Sequence, residues 1–435
     1  MPARDTVTAN DDATHTPSEI RTIALATIAG VFFGGVATGV AFPTLPLLDN
    51  VLGISAVMLG IILSANRFAR MPMNAPAGNI IDRMGARRPM IAGLFVQALG
   101  PFGYTVGLYV PNQTFATLPY LGEVSAPAVV FLVARAAWGI GSAFVFIGAF
   151  ATITYVTTNN NRGRWLGYMR GGQSLGFPTG LVVGGLVSDL FTIQDAFLLA
   201  GTLALLATIV AFTVLPDVKP ETDRRARLRD IPAMIQREPR ILPLGIGNMT
   251  IRFIFGGLLL ATVAKYAGHY DLAFMNLEAA GISGVVLALG VACSSTATVV
   301  TGRISDGLSN RIVLTVPGLL TMAGGLLLAA LLPSVPGLLV GTAMIGIGTG
   351  TTGPALLATI GDITPGDEVG RMGGIYNILG DVGLALGPLV TVPMVDQWLG
   401  YVTTYVLCGV AVLVTLVVVA VPLLRHDSDL LADWV

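Results

Sequence analysis

Long apolar runs recur along the whole chain and constrain its fold more than any other feature. Each run is about 18 to 25 residues long, enough for a helix to cross a hydrocarbon core roughly 30 Å thick. Because 54% of the 435 residues are hydrophobic and only 11% are charged, a soluble globular fold is excluded. The predicted class is an all-α integral membrane protein. Twelve spans are predicted, with approximate cores at 22–48, 55–79, 89–110, 127–156, 165–188, 194–215, 241–264, 280–301, 312–332, 336–361, 372–395 and 398–424.

Positive charges predict the orientation, because Lys and Arg in short loops stay on the cytoplasmic side. Apart from arginines inside the spans, the 24 basic residues fall almost entirely in the two tails and in the loops after even-numbered spans. Lys265 is predicted to lie on the other face. Both termini are therefore expected to be cytoplasmic, in a multi-pass protein of the plasma membrane. Residues 1–21 are polar and acidic and do not resemble a signal peptide, so the first span is expected to remain in the mature protein.

One long hydrophilic segment divides the spans into six and six. The predicted organisation is a cytoplasmic tail 1–21, a six-helix bundle 22–215, a cytoplasmic loop 216–240, a second six-helix bundle 241–424 and a cytoplasmic tail 425–435. The two halves also match each other in sequence. WGIGS at 138–142 aligns with IGIGT at 345–349, and the same offset carries GRWLGY at 163–168 onto GRMGGI at 370–375. Internal repeats of this kind are typical of secondary transporters.

A second internal match connects two loop motifs, GNIIDRMGARR at 78–88 and GRISDGLSNR at 302–311. The first resembles motif A of the major facilitator superfamily, G-x-x-x-D-R-x-G-x-R-R, and RAAWG at 135–139 resembles its motif B, R-x-x-x-G. This resemblance extends along the whole chain and implies the major facilitator fold, with two pseudo-symmetric six-helix bundles. The matching residues are Gly78, Asp82, Arg83, Gly85, Arg87 and Arg88 in motif A, Gly302, Asp306 and Arg311 in its weaker copy, and Arg135 and Gly139 in motif B.

The resemblance implies a gating role for motif A. Asp82 is expected to contact the start of span eleven near Arg371 and Met372 and to lock the halves in the outward-open state, because a carboxylate is favoured at a helix N-terminus. The three motif arginines can hold the loop by charge-assisted hydrogen bonds. The alternative is that these charges only anchor a cytoplasmic loop and set the topology.

Spans five and eleven are rich in glycine and proline. In span five, Gly172, Gly176, Gly180 and Gly184 are four residues apart and form one smooth face, which permits close helix packing in lipid. The antiporter motif C is only partly matched, because Phe177 separates Gly176 from Pro178, whereas span eleven has the expected Gly-Pro pair. Helix packing and bending are predicted for Gly139, Gly176, Pro178, Gly180, Gly383, Gly387 and Pro388.

Several charged residues are predicted near mid-membrane, where a charge is costly and usually faces a cavity or a partner. Arg67, Arg70 and Asn74 are spaced to share one helix face. Asp381 in span eleven is the one mid-span carboxylate expected against these arginines, so the interior is predicted to be net positive. The predicted substrate-binding residues are Arg67, Arg70, Asn74, Arg135, Asn248, Arg252, Tyr376 and Asn377, and Asp381 is the predicted proton-coupling residue.

In the family fold, spans two and eleven face each other across the boundary between the halves. The sequence therefore suggests an ion pair of Asp381 with Arg70 or Arg67. Protonation of Asp381 would release the arginine for an anionic substrate and couple proton binding to opening. A permanent structural salt bridge is the alternative.

These features favour a proton-coupled exporter of an organic, anionic or amphiphilic small molecule, which works as a monomer in the lipid bilayer by alternating access. An importer or uniporter of an organic anion or nutrient is the alternative, and a sensor built on a transporter fold is a more remote one. An intramembrane protease is disfavoured although GISG at 281–284 contains Ser283, because His15, His269 and His426 all fall outside the spans. No enzyme activity, cofactor, metal or nucleic-acid partner is expected.

Overall fold

Twelve long helices form the described part of the protein, α1 to α12 in chain order. The structure is a computed structural model and describes residues 17–119, 122–157, 161–215, 235–364 and 369–425. The predicted all-α fold of twelve spans in two six-helix halves is confirmed. The N-terminal half holds α1 (Pro17–Ala41), α2 (Ala56–Met84), α3 (Arg87–Tyr109), α4 (Ala126–Val156), α5 (Arg162–Leu190) and α6 (Ile193–Val214). The C-terminal half holds α7 (Ile241–His269), α8 (Ala279–Ser305), α9 (Thr315–Leu331), α10 (Val335–Ile363), α11 (Val369–Pro393) and α12 (Gly400–Arg425).

The helices differ in how well they suit a membrane by composition. Within the described residues, ten are long and apolar enough to cross one. The other two long helices are α2 and α5, and both contain arginines within their length, Arg67 and Arg70 in α2 and Arg170 in α5. A charged side chain in a span is tolerated when it faces the bundle interior or a cavity. The two least apolar helices are therefore the first places to look for the site.

Several segments depart from regular α-helix. Helix α7 contains a π-helical stretch that begins immediately after Arg252, and α11 continues into a second π-helical stretch that contains Asp396. The long loop between α3 and α4 forms a small antiparallel hairpin, which an all-α prediction did not include. The segments are the π-helices Phe253–Leu259 and Met394–Trp398, the 3-10 helices Leu45–Leu47 and Arg311–Leu314, the short helix Leu48–Leu52, and the strands Thr114–Leu118 and Gly122–Ser125.

The two halves contact each other at one end of the bundle. We call the membrane face where α1 begins and α12 ends the terminal face, and the other one the opposite face. Near the opposite face, α5 packs against α8 and α2 packs against α11. Gly60 of α2 is so close to α11 that a Cβ there would lie 2.8 Å from the carbonyl oxygen of Pro388. The apolar core of the C-terminal half includes Leu181 of α5, so the two halves share buried apolar packing at this end.

Toward the terminal face, the helices that line the boundary between the halves lie in more open surroundings. A Cβ added to Gly171 of α5 or to Gly374 of α11 would meet no atom within 4 Å. Asn377, one turn deeper in α11, is exposed. The ion pairs and hydrogen bonds that the structure describes between the halves lie near the opposite face. We infer from this openness a cavity between the halves that opens to the terminal face.

The glycine row of α5 lies against α1. A Cβ on Gly176 would overlap the carbonyl group of Phe32, and one on Gly180 would overlap that of Val36. In the other half, Gly387 of α11 has the same relation to Gly257 of α7. These positions need glycine because backbone meets backbone there.

The predicted boundaries at the tails and the central loop fall partly outside the described residues. These parts are residues 1–16 of the predicted tail 1–21, residues 216–234 of the predicted loop 216–240, and residues 426–435 of the predicted tail 425–435. Helix α1 already begins at Pro17, inside the predicted N-terminal tail.

Candidate functional site

An arginine and a carboxylate form the polar centre of the C-terminal half. Arg252 of α7 donates from Nη1 to Oδ1 of Asp381 over 2.9 Å, from Nη2 to Oδ1 of Asn377 over 2.9 Å, and from Nε to Oδ1 of Asn248 over 3.2 Å. The exposed fractions of the side chains are 33% for Arg252 and 23% for Asp381. Three acceptors thus fix the guanidinium plane while one side of it remains accessible from the cavity.

Two local features place Arg252 across α11. The π-helical stretch that follows Arg252 widens α7 at this point, and such stretches are frequent at functional sites. Gly380 of α11 lies under the arginine, and a Cβ there would overlap its Nε and Cδ. The guanidinium therefore depends on glycine at 380 to reach Asp381.

Asn248 and Tyr376 lie behind this pair. Asn248 is 3% exposed and donates from Nδ2 to the carbonyl oxygen of Tyr376 over 2.8 Å. Tyr376 is 4% exposed, and its hydroxyl donates to the carbonyl oxygen of Gly353 over 3.3 Å. Both were expected to contact substrate. In this structure they are buried, where they position Arg252 and pack α11 against α10, and their contact with substrate stays a prediction.

Arg67 and Arg70 of α2 lie on the other side of the cavity and are half-buried. Arg67 lines a small recess between the halves, together with Phe42 and Asn66 from its own half and Leu384 and Pro388 from α11. The guanidinium of Arg70 lies 5.1 Å from the ring centroid of Phe146, and its Nε is buried without a hydrogen-bond partner. Within the described chain, neither arginine is paired with a carboxylate.

The prediction that Asp381 pairs with Arg67 or Arg70 was wrong, because another arginine is its partner. Asp381 is paired with Arg252 in its own half. Its negative charge still acts on both arginines of α2, and Arg252 adds a like charge. The error arose because α7 is rotated so that Arg252 lies over α11. The spacing of residues within one helix does not predict how that helix is rotated against its neighbours.

Arg135 of α4 is not part of the cavity, although it was expected to contact substrate. It is 2% exposed and donates to the carbonyl oxygens of Ile62 and Leu63, at 3.3 and 2.8 Å, and to Oδ1 of Asn66, at 3.2 Å. Gly139, one turn later, is in contact with the backbone of Asn66. The two motif B residues therefore hold α4 against α2 in this structure, and substrate contact by Arg135 stays an untested prediction.

The motif A residues lie at the terminal face, where α2 ends and α3 begins. Gly78 is buried, Asp82 is half-buried and Arg83 is exposed. Gly85 ends α2 with a φ of +85°, which favours glycine. Arg87 donates from Nη2 to the carbonyl oxygen of Phe212 in α6 over 2.9 Å, which ties the loop to its own half.

Other motif A positions lie apart from the cavity. Arg88 is exposed beside an apolar groove between α2, α3 and α4. In the weaker copy, Arg311 lies 3.5 Å from Asp362 of α10, Asp306 follows the last turn of α8, and a Cβ on Gly302 would meet no atom within 4 Å. Of the expected contacts of Asp82, Arg371 is exposed and Met372 is buried in the core of the C-terminal half. Asn74 of α2 is half-buried, one turn from Arg70.

Sequence reasoning missed four charged residues near the opposite face. Asp189 at the end of α5 accepts hydrogen bonds from the backbone amides of Glu278 and Gly281, at 2.7 and 2.8 Å, where α8 begins in the other half. Lys265, Asp49 and Asp396 form a second cluster between the halves. The one signal in the sequence that could have indicated this cluster was the predicted position of Lys265 on that face.

A model of the Major Facilitator Superfamily matches residues 27–295 and 241–433. The chain belongs to the Major Facilitator Superfamily. Members of this superfamily are multi-pass membrane transporters that carry small-molecule substrates.

Curated relatives within the superfamily are distant. Multidrug resistance protein 2 of Bacillus subtilis (strain 168) is 23% identical over 200 residues, which cover 46% of this chain and 45% of that protein. This chain thus spans about half the length of that relative. An uncharacterized MFS-type transporter of Methanocaldococcus jannaschii is 22% identical over 356 residues, which cover 80% of this chain and 85% of that protein.

Solved transporter structures share the fold at low sequence identity. A bacterial homolog of the human lysosomal transporter Spinster, in an inward-facing and unoccupied conformation, superposes with a TM-score of 0.72 at 13% identity, covering 94% of this chain and 96% of that one. The nucleoside transporter NupG (D323A mutant) gives 0.73 at 12% identity, covering 91% and 98%.

Proposed function

We propose that this transporter carries an organic, anionic or amphiphilic small molecule by alternating access, coupled to protons. The observation that carries the proposal is that Arg67 and Arg70, both half-buried, have no carboxylate partner among the residues that the structure describes. A charge in such a place normally has a partner. A substrate carboxylate, sulfonate or phosphate would supply the missing acceptor by charge-assisted hydrogen bonds.

The balance of charge in the cavity supports an anion over a cation. Arg252 is paired with Asp381, whereas neither arginine of α2 forms an ion pair with a carboxylate in the part of the chain that the structure describes. Helix α1 has no Asp or Glu between Thr22 and Ala41, so this part of the helix offers no acidic side chain to a cationic substrate. Phe146, whose ring lies under Arg70, adds an aromatic surface for an amphiphilic molecule.

Asp381 is the residue that would couple protons to transport. While it is ionised, it neutralises Arg252. When it is protonated, its charge is lost and the guanidinium of Arg252 becomes available to an anion, still oriented by Asn377 and Asn248. Binding of the proton and binding of the anion therefore favour each other.

Export is the direction favoured by relatives named as multidrug resistance proteins. Import is the second candidate, and the Arg252–Asp381 pair is the observation that favours it. If proton and anion bind together, they cross the membrane in the same direction, as in symport. If the termini are cytoplasmic, as the basic loops predict, the cavity described above is open to the cytoplasm.

Reconstitution into proteoliposomes tests the proposal. A panel of organic anions, cations and neutral amphiphiles is assayed for counterflow, and the anions that pass are then tested under a pH gradient of either sign. We expect accelerated flux of anions, with accumulation that follows or opposes the proton gradient. Movement of cations alone would contradict the substrate class, and anion flux that ignores the gradient would contradict proton coupling. A protein that works as a monomer, as proposed, keeps its activity when each vesicle receives a single copy.

A further inference from the structure

Three charged side chains meet near the opposite face, where the two halves contact each other. The Nζ atom of Lys265, near the end of α7, is paired with the carboxylate of Asp49 and lies 3.0 Å from Oδ2 of Asp396. The exposed fractions of the side chains are 5% for Lys265, 12% for Asp49 and 20% for Asp396. Asp49 belongs to the N-terminal half and the other two to the C-terminal half. Opening of the opposite face must therefore separate Lys265 from Asp49.

The surroundings of this cluster are aromatic. The Tyr401 hydroxyl donates to Oδ1 of Asp396 over 3.4 Å, and the His269 ring centroid lies 4.7 Å from that of Tyr401. The ring of Tyr266 lies edge-on to Tyr401. The titratable groups packed around the cluster within the described residues are Tyr266, Tyr270, Tyr401, Tyr405 and His269.

The cluster holds more negative than positive charge. One ammonium group faces two carboxylates, so the fully ionised cluster carries a net charge of −1. Burial of an uncompensated charge is costly, and uptake of one proton makes the cluster neutral. The proton belongs to the carboxylate pair as a unit.

We propose that Asp49, Lys265 and Asp396 form a proton-binding latch, which holds one proton while the opposite face is closed and releases it when that face opens. In the open state Asp49 moves away into water with its own half. Lys265 then keeps Asp396 as its single partner, and both carboxylates are ionised. The inference rests on alternating access from the proposed function, but on neither the substrate nor Asp381.

Linkage gives the direction of the pH effect. The closed state binds more protons than the open state, so a fall in pH favours closure and a rise in pH favours opening of this face. A single proton changes the ratio of open to closed molecules by at most about tenfold per pH unit.

Spin labels on the opposite face measure that ratio directly. Val51 in the N-terminal half and Met275 in the C-terminal half are exposed on this face, at 52% and 86%. Cysteines at these two positions are spin-labelled in protein whose native Cys293 and Cys408 are replaced by alanine. Electron–electron distance distributions are then recorded in lipid nanodiscs, without substrate, from acidic to alkaline pH.

We expect the short distance to dominate in acid and the long distance to gain weight as pH rises. Asp396→Asn keeps an acceptor for Lys265 and removes the excess charge, so the closed state should dominate at every pH. Asp49→Asn should also lose the pH response, whereas Lys265→Gln should favour the open state at neutral and alkaline pH, where two ionised carboxylates would face each other without a cation. Asp271→Asn is the matched control, because Asp271 is an exposed carboxylate on the same face with φ +48°, which asparagine tolerates. It should respond to pH as the wild type does.

Two results would overturn the latch. One is a distance distribution that is the same at every pH in the wild type. The other is a full pH response in Asp396→Asn protein that elutes as a single species. Neither readout depends on flux, so a failed transport assay and a failed latch are distinguishable.

Discussion

Arg252 and Asp381 are joined within one half of the transporter, from α7 to α11, through the 2.9 Å contact between Nη1 and Oδ1. The pair therefore does not have to break when the halves rock against each other. Its protonation changes the charge that the cavity presents to a substrate, whereas the contacts that hold the halves together lie near the opposite face. In the proposed function, substrate selection and closure thus depend on separate groups.

Replacement of Asp381 by asparagine tests its role in coupling. Asparagine keeps an oxygen that accepts from Arg252 but has no proton to exchange, so we expect a folded protein whose flux no longer responds to a pH gradient. The measurement is flux in proteoliposomes with and without the gradient, alongside size-exclusion chromatography. Proton-dependent transport by a stable Asp381→Asn protein would assign the pair a purely structural role.

Replacement of Arg135 tests its assignment to helix packing. Glutamine cannot make all three hydrogen bonds that Arg135 donates to Ile62, Leu63 and Asn66, and a hydrogen bond from a charged donor contributes about 1.5–3 kcal/mol. We expect a clear fall in the thermal midpoint of Arg135→Gln in detergent. Arg303→Gln, which removes an exposed arginine at the end of α8, is the control and should melt like the wild type. Unchanged melting with altered substrate affinity would return Arg135 to the binding site.

Two glycines on α11 provide a matched pair for the packing of α7 and α11. A Cβ on Gly383 would overlap the backbone of Met249, whereas one on Gly374 would meet no atom within 4 Å. Gly383→Ala should cost about 1–3 kcal/mol by overpacking. Gly374→Ala should be neutral or stabilise by about 0.5–1 kcal/mol, since alanine is the better helix former. Thermal melting of both variants checks this, and equal midpoints would contradict the close approach of the two helices.

Depth in the membrane could be predicted from the sequence, but partners across helices could not. Counting residues along α2 and α11 gives Arg70 and Asp381 a similar depth, at about 1.5 Å per residue. Which arginine turns toward Asp381 depends on the rotation of α7, and the π-helical stretch after Arg252 alters that rotation. Repeated sequence patterns reveal the two halves, but they cannot reveal the latch, because its residues are not part of any repeat. Lys265, Asp49 and Asp396 come from three separate segments with no shared motif.

Asp82 remains a proposed gating residue, and its effect should be on rate. If Asp82 locks the halves together at the terminal face in the outward-open state, Asp82→Asn destabilises that state and slows the transport cycle. We expect a lower maximal transport rate with substrate affinity unchanged, because Asp82 lies about 18 Å along α2 from Arg70. Rates and affinities from concentration-dependent uptake make the comparison. Unaltered rates would leave motif A with the topological role alone.

The central claim is that Arg67 and Arg70 bind an anionic group of the substrate, and the Arg67→Gln/Arg70→Gln double variant tests it most directly. A charge-assisted hydrogen bond contributes about 1.5–3 kcal/mol, so loss of even one should weaken anion binding at least about tenfold. The measurement is the concentration dependence of anion uptake by the double variant, with Arg303→Gln as the control for loss of an exposed arginine. The account predicts that uptake by the double variant needs at least about tenfold more anion for half-saturation, or is lost, while the control matches the wild type. Anion uptake by the double variant that equals the control at every concentration would contradict it.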